Sequence, residues 1–386
     1  MRAHLSPLLI LTSIFFINFL SRIILSPLMP KIEAELGIAH AAAGSFFLLI
    51  SSGYCIALFG SGFFSSRLTH RKTIILSGVV LGVTLLGTSF ISGLWSIRIG
   101  MLIVGLAAGL YLPSGLATLT AIIAPRHWGK AIAIHELAPN LSFIAAPLIA
   151  EALLIWFSWR AGFLLLGLVA LFLTGIFMRF GRGGEFRGQA PSFSSFRALL
   201  SKPVFWILVV LFSLGISSTL GLYTMLPLYL VAEHGIERNW ANSLVAMSRV
   251  VGVVMTFVGG WLTDRFGPQR ILMIVFLLTG LMTLCIGVAS KSWIAIPVFL
   301  QPLLAVSFFP AGLAALSLVS TEKERNIVVS FTVPIAFLIG GGVVPTLIGF
   351  IGDISTFASG IMLIGGIIIT GTLITRFLKI EDSNPK

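Results

Sequence analysis

The sequence predicts an all-α membrane protein, with twelve transmembrane helices arranged as two pseudo-symmetric six-helix bundles. Three observations carry this. The 386 residues are 57% hydrophobic and only 10% charged, outside the range of a domain surrounded by water. Apolar runs of about 20 residues, the length at which a helix crosses roughly 30 Å of hydrocarbon, recur along the chain. The second half also repeats the glycine, proline and basic landmarks of the first at an offset of 198 residues.

The runs lie near 7–29, 41–65, 73–94, 98–123, 130–155, 160–178, 203–231, 240–263, 271–290, 293–319, 327–351 and 357–378. The first is too long for a signal-peptide core and lacks a small-residue cleavage site behind it, so it reads as a span. Breaks carrying charge, Gly or Pro separate the others. The longest polar stretch, 179–202 (RFGRGGEFRGQAPSFSSFRALLSK), is rich in Gly, Ser and Arg and has no apolar period. It reads as a flexible cytoplasmic linker between bundles at 1–178 and 203–386.

A formal charge of +12 would point to nucleic acid in a soluble protein. Here the basic residues sit between apolar runs and act as topology signals, so no nucleic-acid partner is expected. Eighteen of the twenty-five fall on the side of the termini, and five (Lys31, Arg98, Arg160, Arg238 and Lys291) fall on the other. This bias predicts cytoplasmic termini and a multi-pass protein of the cell inner membrane. Cys55 and Cys285 lie inside apolar runs and read as packing thiols.

The repeat is legible residue by residue. Gly37-Ile38 precedes Gly62 by 25 residues, as Gly235-Ile236 precedes Gly260. At the same offset Arg67 falls on Arg265, Lys72 on Arg270 and Pro147 on Pro345. After the second run the chain reads Gly62-Phe-Phe-Ser-Ser-Arg67-Leu-Thr-His-Arg71-Lys72, and after the eighth Gly260-Trp-Leu-Thr-Asp264-Arg265-Phe-Gly267-Pro-Gln-Arg270.

These segments resemble the G-x-L-a-D-R-x-G-R-K loop motif of the major facilitator superfamily, and the resemblance to prokaryotic members extends over essentially the whole chain. It implies the twelve-helix fold of that superfamily and a secondary transporter working by alternating access. It also assigns gating roles to Gly62, Arg67, Gly260, Asp264 and Arg265. Ser66 replaces the acidic position in the first copy, so only Asp264 retains it. Met101 stands where many members carry a fourth-span Arg.

An ionisable side chain in hydrocarbon costs at least about 2.5–3.5 kcal/mol on insertion scales, so each one found there is a candidate functional residue. Arg249 lies near the middle of the eighth run, with no acidic residue of the second half at comparable depth. Its fork of donors suits a carboxylate, and members of the superfamily that carry monocarboxylates or oxalate are similar in having an Arg in this helix. The alternative is an Arg satisfied by backbone carbonyls, water or an acid of the other half. Asn18, Arg22 and Ser26 recur every four residues, which predicts one helix face, most simply toward a central cavity. Arg22 is thus a second candidate anion contact. Glu136 and Asn140 share a face of the fifth run; Glu136, a carboxyl expected in low dielectric, is the candidate proton carrier, with His135 beside it sharing protons or merely packing, and the alternative is a fixed Arg22–Glu136 ion pair. Tyr54 and Tyr223 complete the candidate substrate contacts.

The expectation is a carrier of a small organic anion in symport with protons. It needs no cofactor beyond the proton gradient, has the lipid bilayer as its surroundings, and acts as a monomer. Within the same fold the rival is an exporter of amphipathic or drug-like compounds or lipids. An intramembrane enzyme is not expected, because His135 is the only histidine inside a run and no metal cluster or catalytic triad is visible.

Overall fold

The computed structural model describes residues 5–189, 199–319 and 322–378. Among the described residues twelve helical spans are long and apolar enough to cross a membrane: α1 Leu5–Leu36, α2 His40–Arg67, α3 His70–Ser89, α4 Leu94–Ile122, α5 Pro125–Leu154, α6 Arg160–Phe180, α7 Pro203–Ala232, α8 Arg238–Phe266, α9 Pro268–Val288, α10 Ala295–Val319, α11 Val328–Ile354 and α12 Phe357–Phe377. The described residues contain no strand. Helical spans satisfy most of their backbone internally, as hydrocarbon requires.

The chain forms two compact units, Met1–Ile38 with Phe46–Pro191 and Ala39–Ser45 with Ser192–Lys386. In the first, α3 packs along α4 and α6, and α1 along α5. Small residues set the closest approaches: a Cβ on Gly105 of α4 would stand 2.0 Å from the Ile50 carbonyl of α2, and one on Gly53 2.2 Å from the Leu102 carbonyl. Only glycine allows backbones that near. Glu35 at the end of α1 pairs with Arg160 and accepts from Trp159 Nε1 at 2.8 Å, tying the start of α6.

In the second unit α9 packs along α12, α8 along α10 and α7 along α11. Both α7 and α11 are interrupted by a π-turn, at Ser217–Gly221 and Ile339–Val343. The turns adjoin, and a Cβ on Gly221 would meet the Gly340 carbonyl at 2.3 Å. The first turn of α2 belongs to this unit, where the Asp353 carboxylate accepts from the His40 and Ala41 backbone N–H groups at 2.8 Å each. An acid at a helix N-terminus satisfies orphan donors and complements the helix dipole.

The structure corrects the reading of the linker. Residues 190–198 lie outside the described residues, but 181–188 is not a free tether. Gly184 and Phe186 carbonyls accept from the Arg71 and His70 backbone, and Gly188 donates to the Ser65 carbonyl. The Arg71 side chain donates to the Phe177, Met178 and Gly181 carbonyls, and Glu185 lies 3.6 Å from it. Gly183 and Gly184 adopt φ of +83° and +80°, a conformation that glycine adopts without strain. Composition marked this segment as irregular, but it could not reveal that the backbone pairs with the α2–α3 turn.

Candidate functional site

Each unit holds its own polar cluster in the middle of its spans. In the first, Arg22 is buried on α1 with its guanidinium carbon 4.0 Å from the Tyr54 ring centroid on α2 and 4.6 Å from that of Phe19. The aromatic faces supply partial negative charge to a cation removed from water. Asn18 does not share this setting. It is buried with its Nδ2 donating to the Ala108 carbonyl of α4 at 3.2 Å, beside Ser77 of α3 and Thr174 of α6. The four-residue spacing predicted a single cavity face; the side-chain amide is instead taken up by helix packing inside the unit.

The fifth span places its two candidates in contrasting environments. His135 has no exposed surface, whereas the Glu136 side chain is 49% exposed. The histidine is sealed, and the carboxyl reaches the surface of the unit. His135 Nδ1 lies 3.5 Å from Glu136 Oε1. Its ring stacks on Phe15 with centroids 4.4 Å apart, and Nε2 is 3.1 Å from the Tyr111 hydroxyl, which itself donates to the Leu11 carbonyl at 2.6 Å. Asn140 donates to the Glu136 backbone carbonyl at 3.1 Å.

In the second unit Arg249 is buried on α8, 4.9 Å from the Tyr223 ring centroid on α7. Its guanidinium donates to the Thr219 carbonyl at 2.7 Å, inside the α7 π-turn. A π-turn shifts the helical ladder by one residue and frees a carbonyl. Gln301 of α10 meets the neighbouring one, donating to the Ser218 carbonyl at 2.8 Å. Sequence reasoning missed both the turn and Gln301. A lone amide in an apolar span was the available signal for the latter, and Gly215, Gly221 and the run of Ser217, Ser218 and Thr219 the weaker one for the former.

The loop-motif residues lie at helix ends. Gly62 and Arg67 close α2, with Arg67 exposed. Gly260, Asp264 and Arg265 close α8, where Asp264 is exposed and Arg265 lies over the Trp261 and Phe266 rings. The chain then turns at Gly267, φ +82°.

Comparison with known proteins agrees with this architecture. The family model described as Major Facilitator Superfamily matches residues 11–299 and 239–386. The chain is 23% identical to the probable sulfoacetate transporter SauU of Cupriavidus necator over 76% of its length and 74% of that protein. It is 22% identical to the probable L-galactonate transporter of Escherichia coli over 99% of its length and 91% of that protein. The solved structure of a bacterial homologue of the human lysosomal transporter Spinster superposes with a TM-score of 0.80 at 16% identity, covering 98% of this chain and 95% of that one. With a family model spanning most of its length and twelve spans in the matching fold, the chain belongs to the Major Facilitator Superfamily.

Proposed function

We propose that this secondary transporter carries a small carboxylate-like anion in symport with protons, with Arg249 and Arg22 as the anion contacts and Glu136 as the titrating group. The observation that carries the reading is Arg249, a cation buried mid-span against Tyr223 and the Thr219 carbonyl. An aromatic face and a backbone carbonyl supply partial negative charge to the buried guanidinium, and its planar fork of donors suits the carboxylate of a substrate. Two relatives are named for sulfoacetate and L-galactonate, both of which carry a carboxylate. Tyr54 and Tyr223, which hold the two arginines, are positioning residues in this scheme. Asn18 and Asn140 have their amide donors engaged by backbone carbonyls and stand behind the arginines as contacts.

The transporter acts as a monomer in the cell inner membrane, with both termini cytoplasmic as the basic-residue bias favours. It needs no cofactor other than the proton gradient. Substrate is exposed alternately to the two sides from a site near the bilayer midplane, and the loop-motif residues Gly62, Arg67, Gly260, Asp264 and Arg265 gate that exchange.

The test is thermal unfolding of the purified protein against a panel of carboxylates and sulfonates. A ligand at a hundredfold its Kd stabilises by about 2.7 kcal/mol, so at least one anion should raise the midpoint of the wild type by several degrees. Arg249→Ala and Arg249→Lys should lose that rise. If no anion stabilises the wild type, or both variants respond as it does, the anion reading fails. Stabilisation by uncharged amphiphiles alone would favour the exporter.

A further inference from the structure

We propose that the exchangeable proton of the first unit is held between His135 Nδ1 and Glu136 Oε1, and that Tyr111 is the positioning residue that keeps it there by fixing the histidine tautomer. The inference rests on the proton-symport reading only for its role in transport; the geometry stands by itself.

The argument is a count of hydrogens. A phenol has one, and at 2.6 Å from the Leu11 carbonyl, which can only accept, the Tyr111 hydroxyl gives it there. Its contact with His135 Nε2 at 3.1 Å therefore requires the hydrogen to come from the ring. Neutral His135 carries its proton on Nε2, and Nδ1 is a bare lone pair. That nitrogen is buried with no hydrogen-bond partner of normal length among the described residues, and the nearest polar atom is Glu136 Oε1 at 3.5 Å. Two bare acceptors facing each other repel, so the arrangement is attractive only when one proton lies between them.

The proton has two balanced placements: a neutral carboxyl donating to a neutral imidazole, or a carboxylate facing an imidazolium. Both leave the pair with zero net charge. Release returns a proton to solution and leaves carboxylate and neutral ring, with net charge −1. Because His135 is sealed and Glu136 is half-exposed, the proton enters and leaves through the carboxyl. Stacking on Phe15, nearly parallel at 9°, keeps the ring from turning to offer its other nitrogen.

The ionisable residues on the elements packed against α5 are Arg22, Lys31, Glu33 and Glu35 of α1, Arg98 and Tyr111 of α4, and Arg160 and Arg179 of α6. Of these Tyr111 touches the ring.

The experiment uses the full chain, labelled with ¹⁵N-histidine and held in lipid nanodiscs, with the His135 resonances identified by their loss in His135→Gln. Titrated upward in pH, the neutral wild-type ring should show a protonated Nε2 and a bare Nδ1. Tyr111→Phe removes the constraint and lets neutral His135 donate from Nδ1 to the carboxylate, so the pair should release its proton at lower pH, with affinity reduced about tenfold. Glu136→Gln should keep the Nε2–H tautomer and abolish the titration step. A neutral wild-type ring protonated on Nδ1, or a midpoint that Tyr111→Phe leaves in place, overturns the proposal. Proton uptake driven by carboxylate is read separately with Glu136→Gln. If that variant still couples, the symport reading falls while the resonances decide the tautomer on their own.

Discussion

Arg71 in the first unit and Gln269 in the second stand at equivalent repeat positions and perform the same task with different chemistry. Arg71 donates to the Phe177, Met178 and Gly181 carbonyls at the end of α6; Gln269 donates to the Thr375 and Leu378 carbonyls at the end of α12. Glu35 and Glu233 are a second such pair. Glu35 holds the Trp159 and Arg160 side chains at the start of α6, and Glu233 accepts from the Ala358 backbone at the start of α12. Between the helix ends this correspondence stops. His135 and Glu136 fall on Val333 and Pro334, and Arg249 falls on Ser51. Helix-end ties need only to satisfy orphan backbone groups, so they survive duplication in several chemical forms. Ionisable groups at depth are costly, and each is kept in one unit alone.

The largest effect that would sharpen this contrast is steric. Gly105→Leu drives a side chain into the Ile50 carbonyl and should destabilise by about 3 kcal/mol in thermal unfolding. Next come the helix-end ties. Arg71→Ala should cost about 1–3 kcal/mol, and Gln269→Ala less, since it gives up two carbonyl contacts where Arg71 gives up three. A larger loss for Gln269→Ala would break the equivalence. The smallest effect is a pH dependence at His234, beyond the end of α7. Burial holds its imidazole below the usual range, with Glu233 opposing and Lys291 adding. The fold thus favours the neutral ring, and its contribution is complete above the ordinary histidine value of about 6.5 and lost as pH falls through it. His234→Gln should flatten that acid limb of the stability profile.

Most of the fold was legible because hydrocarbon forces a one-dimensional code: apolar length gives the spans, breaks give the turns, and the 198-residue register gives the two bundles. The ionisable residues of the site were legible for the same reason, since charge at depth is rare. Their partners were not. Asn18 shares a helical period with Arg22, yet it points to Ala108 because side-chain direction depends on which neighbour offers a carbonyl. The π-turn that Arg249 meets at Thr219 lies against α11 at Gly340, a contact invisible to local sequence. Tyr111 reads as one hydroxyl among many until its single hydrogen is traced to Leu11.

The proposed roles of Glu136 as proton carrier and Arg249 as anion contact are tested most directly in proteoliposomes containing a trapped pH indicator, to which a stabilising carboxylate is added outside. The wild type should acidify the interior, and Arg249→Lys should fail both to take up and to acidify. Glu136→Gln should exchange labelled carboxylate across the membrane without acidification. Acidification by Glu136→Gln at the wild-type rate, or uptake by Arg249→Lys at the wild-type affinity, would contradict the account.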